Sequence, residues 1–242
     1  MIAFPVYDKA FDSLKLRQAF ALSFDRQQLI DKFLEGVGEP ATGYLPPNFP
    51  AFNSAACGEF CTYDPAKAKQ LFEESGYSGE ILLYNNADNG LFSMYQALAN
   101  QATKSLGTTV KIKAVPTFPE FLDLRQNREL DGTFRAGWVA DWPTPDNYLV
   151  NIFRTAAPAT SANDSGYSNP EVDKLLDEAI AEQDVTKSNE IYDQAQVKIL
   201  EDMPVVPVIW QGDDYLRAST LEGVASTPFN IYQYPSFTVT SS

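Results

Sequence analysis

Between Ser13 and Phe24 the apolar residues Leu14, Leu16, Phe20 and Phe24 stand among Lys15, Arg17 and Gln18, a spacing that predicts a helix. Asp25 then reads as an N-cap with Gln28 as its capping-box partner, opening a second helix through Leu29, Ile30, Phe33 and Leu34 to Gly36. Asp64-Pro65 starts a third, carrying Ala68, Leu71 and Phe72 and stopping at Gly76. Beyond it the pattern alternates. Glu80 to Tyr84 reads as a strand closed by Asn85-Asn86, 91–106 as a helix ended by Gly107, and Val110 to Val115 as a strand. Pro119 to Gln126 reads as a helix, and Thr133 to Ala140 as a strand broken at Asp141-Trp142-Pro143.

Strand, helix, strand, helix, strand with short connections is a βαβαβ pattern, which predicts an α/β fold with a mainly parallel sheet flanked by helices. After a loop from Trp142 to Tyr167, Asn169-Pro170 opens a helix with Val172, Leu175, Leu176 and Ile180. A further helix from about Thr186 to Met203 precedes Val205–Trp210, an edge or crossing strand interrupted by Pro207. The tail from Asp213 carries Leu216, Leu221, Val224, Phe229, Ile231, Tyr232, Tyr234, Phe237 and Val239 without a helical period. It reads as extended segments that pair with something, and as a sign that a neighbouring part of the fold lies elsewhere.

Composition narrows the function. The chain of 242 residues has 18 basic and 32 acidic side chains, a net charge of −14, so phosphate backbones and anionic membranes are repelled and no nucleic-acid partner is expected. It contains no histidine, which excludes Ser-His-Asp and Cys-His catalysis and His-ligated zinc, while leaving carboxylates as acids and bases. Gly36-Val-Gly38-Glu-Pro lacks the third glycine, the strand and the helix of a dinucleotide loop, and no cofactor is expected. Cys57 and Cys61, in a Pro/Asn/Ser/Gly-rich stretch that reads as exposed loop, form a small disulfide loop or two reduced thiols; two thiols cannot complete a metal site. Exposed paired cysteines fit an oxidising compartment. The first ten residues, with Pro5 and Asp8, hold no apolar signal-peptide core, and no apolar run is long enough to span a membrane, so an export signal is expected outside this chain.

The sharpest local feature runs from Arg135 through Gly137-Trp138-Val139-Ala140-Asp141-Trp142 to Asp146-Asn147. On the strand reading Asp141 lies just past a parallel strand's carboxyl end, the edge where open α/β sheets bind ligands. Flanked by Trp138 and Trp142, it could meet a cationic group; the plainer alternative is a turn cap beside core tryptophans. Asn85 and Asn86 would project to the same edge, or be ordinary turn residues. Asp146 is the natural second carboxylate of a glycosidase pair with Asp141, or else a residue of a Pro-Asp-Asn turn. A surface interaction domain with no small-molecule site is the other alternative.

An ordered set of motifs resembles one family. Leu16-Arg17-Gln18-Ala19-Phe20 with Asp25-Arg26 is followed by Pro40-Ala41-Thr42-Gly43, Pro46-Pro47, and Tyr63-Asp64-Pro65-Ala66-Lys67-Ala68-Lys69 with Gly76-Tyr77. Then come Gly137-Trp138-Val139-Ala140-Asp141-Trp142, Tyr167-Ser168-Asn169-Pro170-Glu171-Val172-Asp173 and Pro204-Val205-Val206-Pro207-Val208. Together these resemble, from about Phe11 onward, the carboxyl-terminal part of family 5 extracellular solute-binding proteins, the oligopeptide- and dipeptide-binding components of ABC importers.

The resemblance implies one lobe of a two-lobed clamshell, with residues 1–211 as the ligand-binding lobe and 212–242 as a tail returning to an amino-terminal lobe absent from this chain. It implies no catalysis and no cofactor. The expected ligand is a peptide, the partners are the importer's permease and ATPase subunits, and the location is periplasmic or, for a lipoprotein, the cell surface. It places the ligand-ammonium aspartate at Asp141 and pocket walls at Trp138, Val139, Asn85, and Trp210 or Gln211. Trp142 stands where a tyrosine is more usual, which keeps an aromatic wall.

Overall fold

The computed structural model describes residues 1–155, 162–211, 218–224 and 234–240. In chain order the elements are β1 (Ile2–Ala3), α1 (Leu14–Leu22), α2 (Arg26–Phe33), β2 (Glu39–Pro40), α3 (Pro65–Ser75), β3 (Ile81–Asn86) and α4 (Phe92–Leu106). They continue with β4 (Val110–Val115), α5 (Phe118–Gln126), β5 (Thr133–Arg135), α6 (Asp146–Phe153), α7 (Pro170–Ala181) and α8 (Val185–Asp202). Last come β6 (Val205–Val206), β7 (Ile209–Trp210), β8 (Leu221–Glu222) and β9 (Thr238–Val239).

Helix boundaries follow the capping residues. Asp64 accepts hydrogen bonds from the amides of Ala66 and Lys67, Pro65 occupies the first turn, and Gly76 ends α3 in the left-handed conformation. Asn169 and Asp184 cap α7 and α8 in the same manner. Asp25 caps α2 through the amide of Gln28, but the reciprocal half of the expected capping box is made otherwise. The amide of Asp25 donates to Gln101 of α4 (2.7 Å), whose own amide donates to Gln28 (3.0 Å), so a tertiary contact replaces the local one.

The main sheet has the order β4-β3-β5-β1-β6. β3 is parallel to β4, in register from Ile81↔Val110 to Asn86↔Val115, and parallel to β5 on its other side. β1 runs antiparallel between β5 and β6. It is two residues long, too short to show a period in the sequence. The expected strand 205–210 is divided at Pro207: β6 is an edge of the main sheet, whereas β7 pairs with β2 in a separate ribbon.

A single cluster of buried side chains joins the sheet to its helices. Phe4, Phe20 and Phe24 are stacked edge to face, with ring centroids 5.5 and 6.1 Å apart. Each is fully buried, worth roughly 1.5–3 kcal/mol apiece against exposure to water. The buried Arg17 guanidinium donates to the carbonyls of Phe11, Asp12 and Asp202, tying α1 to the end of α8.

Three expectations need correction. Asn85 and Asn86 are the last residues of β3 and buried, not turn residues beyond it. The strand expected over 133–140 stops at Arg135: Ala136 still donates to the Met1 carbonyl in the β1 register, where β1 runs out, and beyond it Asp141 donates to the Asn147 side chain and Pro143 and Pro145 have no N–H. The expected loop from Trp142 to Tyr167 contains α6, whose Leu149, Ile152 and Phe153 face the core.

Cys57 and Cys61 are joined in a disulfide across a 3-10 turn, Gly58–Cys61. Cys57 is buried and Cys61 half-buried, rather than exposed as the loop reading expects. In the tail, β8 and β9 form their own antiparallel pair, Leu221↔Val239 and Glu222↔Thr238. Leu216, Phe229, Ile231 and Tyr232 lie outside the described residues.

Candidate functional site

The carboxyl ends of the parallel strands surround a cleft of about 850 Å³. Leu91 and Tyr95 enter it after β3, Phe118 after β4, and the segment Arg135–Asp141 leaves β5 along one wall. Ile209, Trp210 and Gln211 form another side, and Ala41, Gly43, Tyr44, Pro46, Asn48 and Phe49 come from the loop after β2. That is the edge at which open α/β sheets bind ligands.

Local packing holds these walls. The oxygen of the buried Gln196 side chain accepts from the amides of Tyr44 (2.9 Å) and Leu45 (3.0 Å). Gly43 lies so close that a β-carbon there would meet that oxygen at 2.9 Å. The Tyr44 hydroxyl donates to the Val205 carbonyl, and its ring lies 4.3 Å from that of Phe153. The Trp210 ring meets Phe52 edge to face at 5.5 Å. Behind Trp210, Gly38 has a φ of +106°, and a β-carbon there would stand 2.8 Å from the Trp210 carbonyl oxygen.

Of the residues expected from sequence, the cleft brings together Trp138, Val139, Asp141, Trp210 and Gln211. Asp141 is exposed, and among the described residues nothing hydrogen-bonds to its carboxylate or pairs with it. Asn85 and Trp142 are not part of the lining. Asn85 is fully buried within β3, where its side-chain oxygen accepts from Asn89 at 3.0 Å. Trp142 lies at the surface and its indole N–H donates to Asp146 at 2.8 Å, so only Trp138 supplies the expected aromatic wall beside Asp141. Asp146 sits on the first turn of α6, both carboxylate oxygens held, one by Trp142 and the other by the Thr144 hydroxyl.

Three residues without an assigned role in the sequence belong to the site. Arg135 and Arg125 both line the cleft. Arg125 is buried and paired with Asp164 at 2.5 Å; burial pulls its pKa below the ordinary guanidinium value, against the pull of that carboxylate. Arg135 lies 5.6 Å from the Phe118 ring centre and has no carboxylate within ion-pair distance among the described residues. A basic residue closing a strand ahead of Gly-Trp was the signal available for it. Asn147 is the third, buried under the Trp138–Asp141 segment. The cleft thus presents a carboxylate with no hydrogen-bond partner among the described residues and a guanidinium, over the Phe118 ring, with no carboxylate partner among them, in one lining with Trp138. That suits a ligand with an ammonium, a carboxylate and apolar groups.

Among the described residues no group of three or more His, Cys, Asp or Glu side chains could hold a metal ion, and no helix is long and apolar enough to cross a membrane.

The oligopeptide-binding protein OppA of Bacillus subtilis is 29% identical over 225 residues, which are 89% of this chain and 40% of that protein. Heme-binding protein A of Haemophilus influenzae is 29% identical over 238 residues, covering 94% of this chain and 42% of its own length. The periplasmic binding protein DppA of Helicobacter pylori, solved with the peptide STSA, superposes with a TM-score of 0.86 at 22% identity, over 99% of this chain and 46% of that one. The chain spans less than half the length of each of these proteins. Residues 1–160 match the family described as bacterial extracellular solute-binding proteins, family 5, middle, and the chain belongs to that family.

Proposed function

We propose that this chain is the ligand-binding lobe of a solute-binding protein that captures short peptides for an ABC importer and carries out no catalysis. The observation that carries the reading is the cleft, where the Asp141 carboxylate lies uncommitted beside Trp138 with Arg135 on the same wall. Asp141 receives the peptide's ammonium in a charge-assisted hydrogen bond. Arg135 stands ready for a carboxylate, and main chain bordering the cleft pairs with the peptide backbone, as in strand addition. Trp138 covers apolar side chains. Peptide binding by relatives such as B. subtilis OppA and the STSA complex of H. pylori DppA support the peptide class. The carboxylate-pair glycosidase reading is weaker, since Asp146 is held in the first turn of α6 and is not part of the cleft.

In this reading residues 1–211 form one lobe, the tail from 212 returns to a second lobe, and the two close over the ligand like a clamshell. The whole protein works outside the cytoplasm, in the periplasm or lipid-anchored at the surface, and delivers its ligand to permease and ATPase subunits. Native mass spectrometry of the whole protein from its own cells is the test. Bound masses that resolve into peptides are expected; sugars or metal complexes in their place would overturn the peptide class.

A further inference from the structure

The Asn147 side chain sits directly behind the proposed ammonium site. It is fully buried, and its oxygen accepts from the Trp138 indole N–H at 2.7 Å and from the Asp141 backbone N–H at 3.4 Å. Both partners can only donate, so the amide orientation is fixed: the oxygen must face them. The amide nitrogen then points into the interior, where it has no hydrogen-bond partner. An unpaired buried donor is a cost that an apolar residue of the same shape would avoid. Asn147 is itself anchored, its backbone N–H donating to the Thr144 carbonyl and its carbonyl accepting from Asn151.

We infer that Asn147 is the positioning residue of the ammonium site, clamping the Trp138 ring and the Asp141 backbone to the first turn of α6 so that the carboxylate is presented to the ligand. The inference rests on the proposed capture of a peptide ammonium by Asp141. Asn147 touches no ligand. It acts by fixing the segment between Gly137 and the start of α6, which no strand pairing holds.

Replacement by leucine keeps the branched shape of the side chain, though not its volume, and removes the acceptor. The two freed donors, on Trp138 and on the Asp141 backbone, point at the replaced side chain and lose their acceptor, so Asn147→Leu is expected to fold with a lowered melting temperature, and binding is compared on the folded variant. The experiment is calorimetric titration of the whole protein with trialanine and with N-acetyl-trialanine, whose blocked amine carries no charge. The unaltered protein is expected to prefer trialanine by tenfold or more, and Asn147→Leu to lose most of that preference. A preference that survives in folded Asn147→Leu overturns the positioning role alone. Equal binding of the two peptides by the unaltered protein overturns the ammonium reading, and this inference with it. Should Asn147→Leu not fold, Asn147→Ser, whose hydroxyl is too short to reach both donors, serves in the same comparison with the same two outcomes.

Discussion

Phe153 shows how a single side chain supports the cleft from behind. It is fully buried and its ring lies against Tyr44, whose loop lines the site. Phe153→Ala is expected to lower unfolding free energy by about 3–5 kcal/mol in urea titration, through lost burial and the cavity left behind. A loss below about 1 kcal/mol would mean the core closes over the gap. At this scale the sequence showed chemistry better than orientation. That Asp141 and Trp138 line the cleft is legible because a carboxylate and an indole stand together past a strand. Trp142 looked equivalent by spacing, yet α6 begins four residues later, and the bond to Asp146 holds its ring at the surface. Asn85 reads from sequence as projecting to the ligand edge or as a turn residue, since asparagine favours turns; β3 continues through it, and the pairing with β4 leaves it buried and outside the cleft lining.

Elements with strong end signals were readable to within a residue or two. α3 begins and ends where Asp64-Pro65 and Gly76 place it, and its cap has a measurable weight. Asp64→Ala removes the acceptor for two amides and should cost about 0.5–2 kcal/mol, with α3 fraying at its first turn in hydrogen exchange. Unchanged exchange at Ala66 and Lys67 would contradict this. α6 lacked such a signal: the residue before it, Pro145, has no side-chain acceptor, and the Pro-Asp-Asn run imitates a turn. β5 was overextended since its hydrophobic run continues past Arg135 while its partners do not. The disulfide closes only the short span from Cys57 to Cys61, so loop entropy assigns it about 2 kcal/mol. Reduction should lower the unfolding midpoint modestly and leave far-UV dichroism unchanged; global unfolding on reduction would show a larger role.

For the molecule as a whole, the absence of histidine removes the usual titration near neutrality, and the tyrosines set the alkaline limit. Burial raises the phenols of Tyr44, Tyr167 and Tyr192, and pushes Tyr7 up to about 12. The folded chain therefore keeps protons that the unfolded chain gives up above about pH 10. Their stabilisation is fully present below that pH and is lost as pH rises through the folded values. Thermal midpoints should accordingly be nearly level from about pH 7 to 9 and fall clearly by about pH 11; a level midpoint to pH 11 would contradict the assignment. The layout of a mainly parallel sheet flanked by helices is legible from alternating strands and helices, whereas β1 and β2, two residues each, gain their pairing only from the tertiary fold.

The central claim is that Asp141 captures a peptide's ammonium, and Asp141→Asn tests it most directly because it removes the charge and keeps the shape. Calorimetry on the whole protein should find trialanine bound about 10–100-fold more weakly by Asp141→Asn, the weight of a charge-assisted hydrogen bond, with N-acetyl-trialanine little changed. Equal trialanine affinity in the two proteins would contradict the claim.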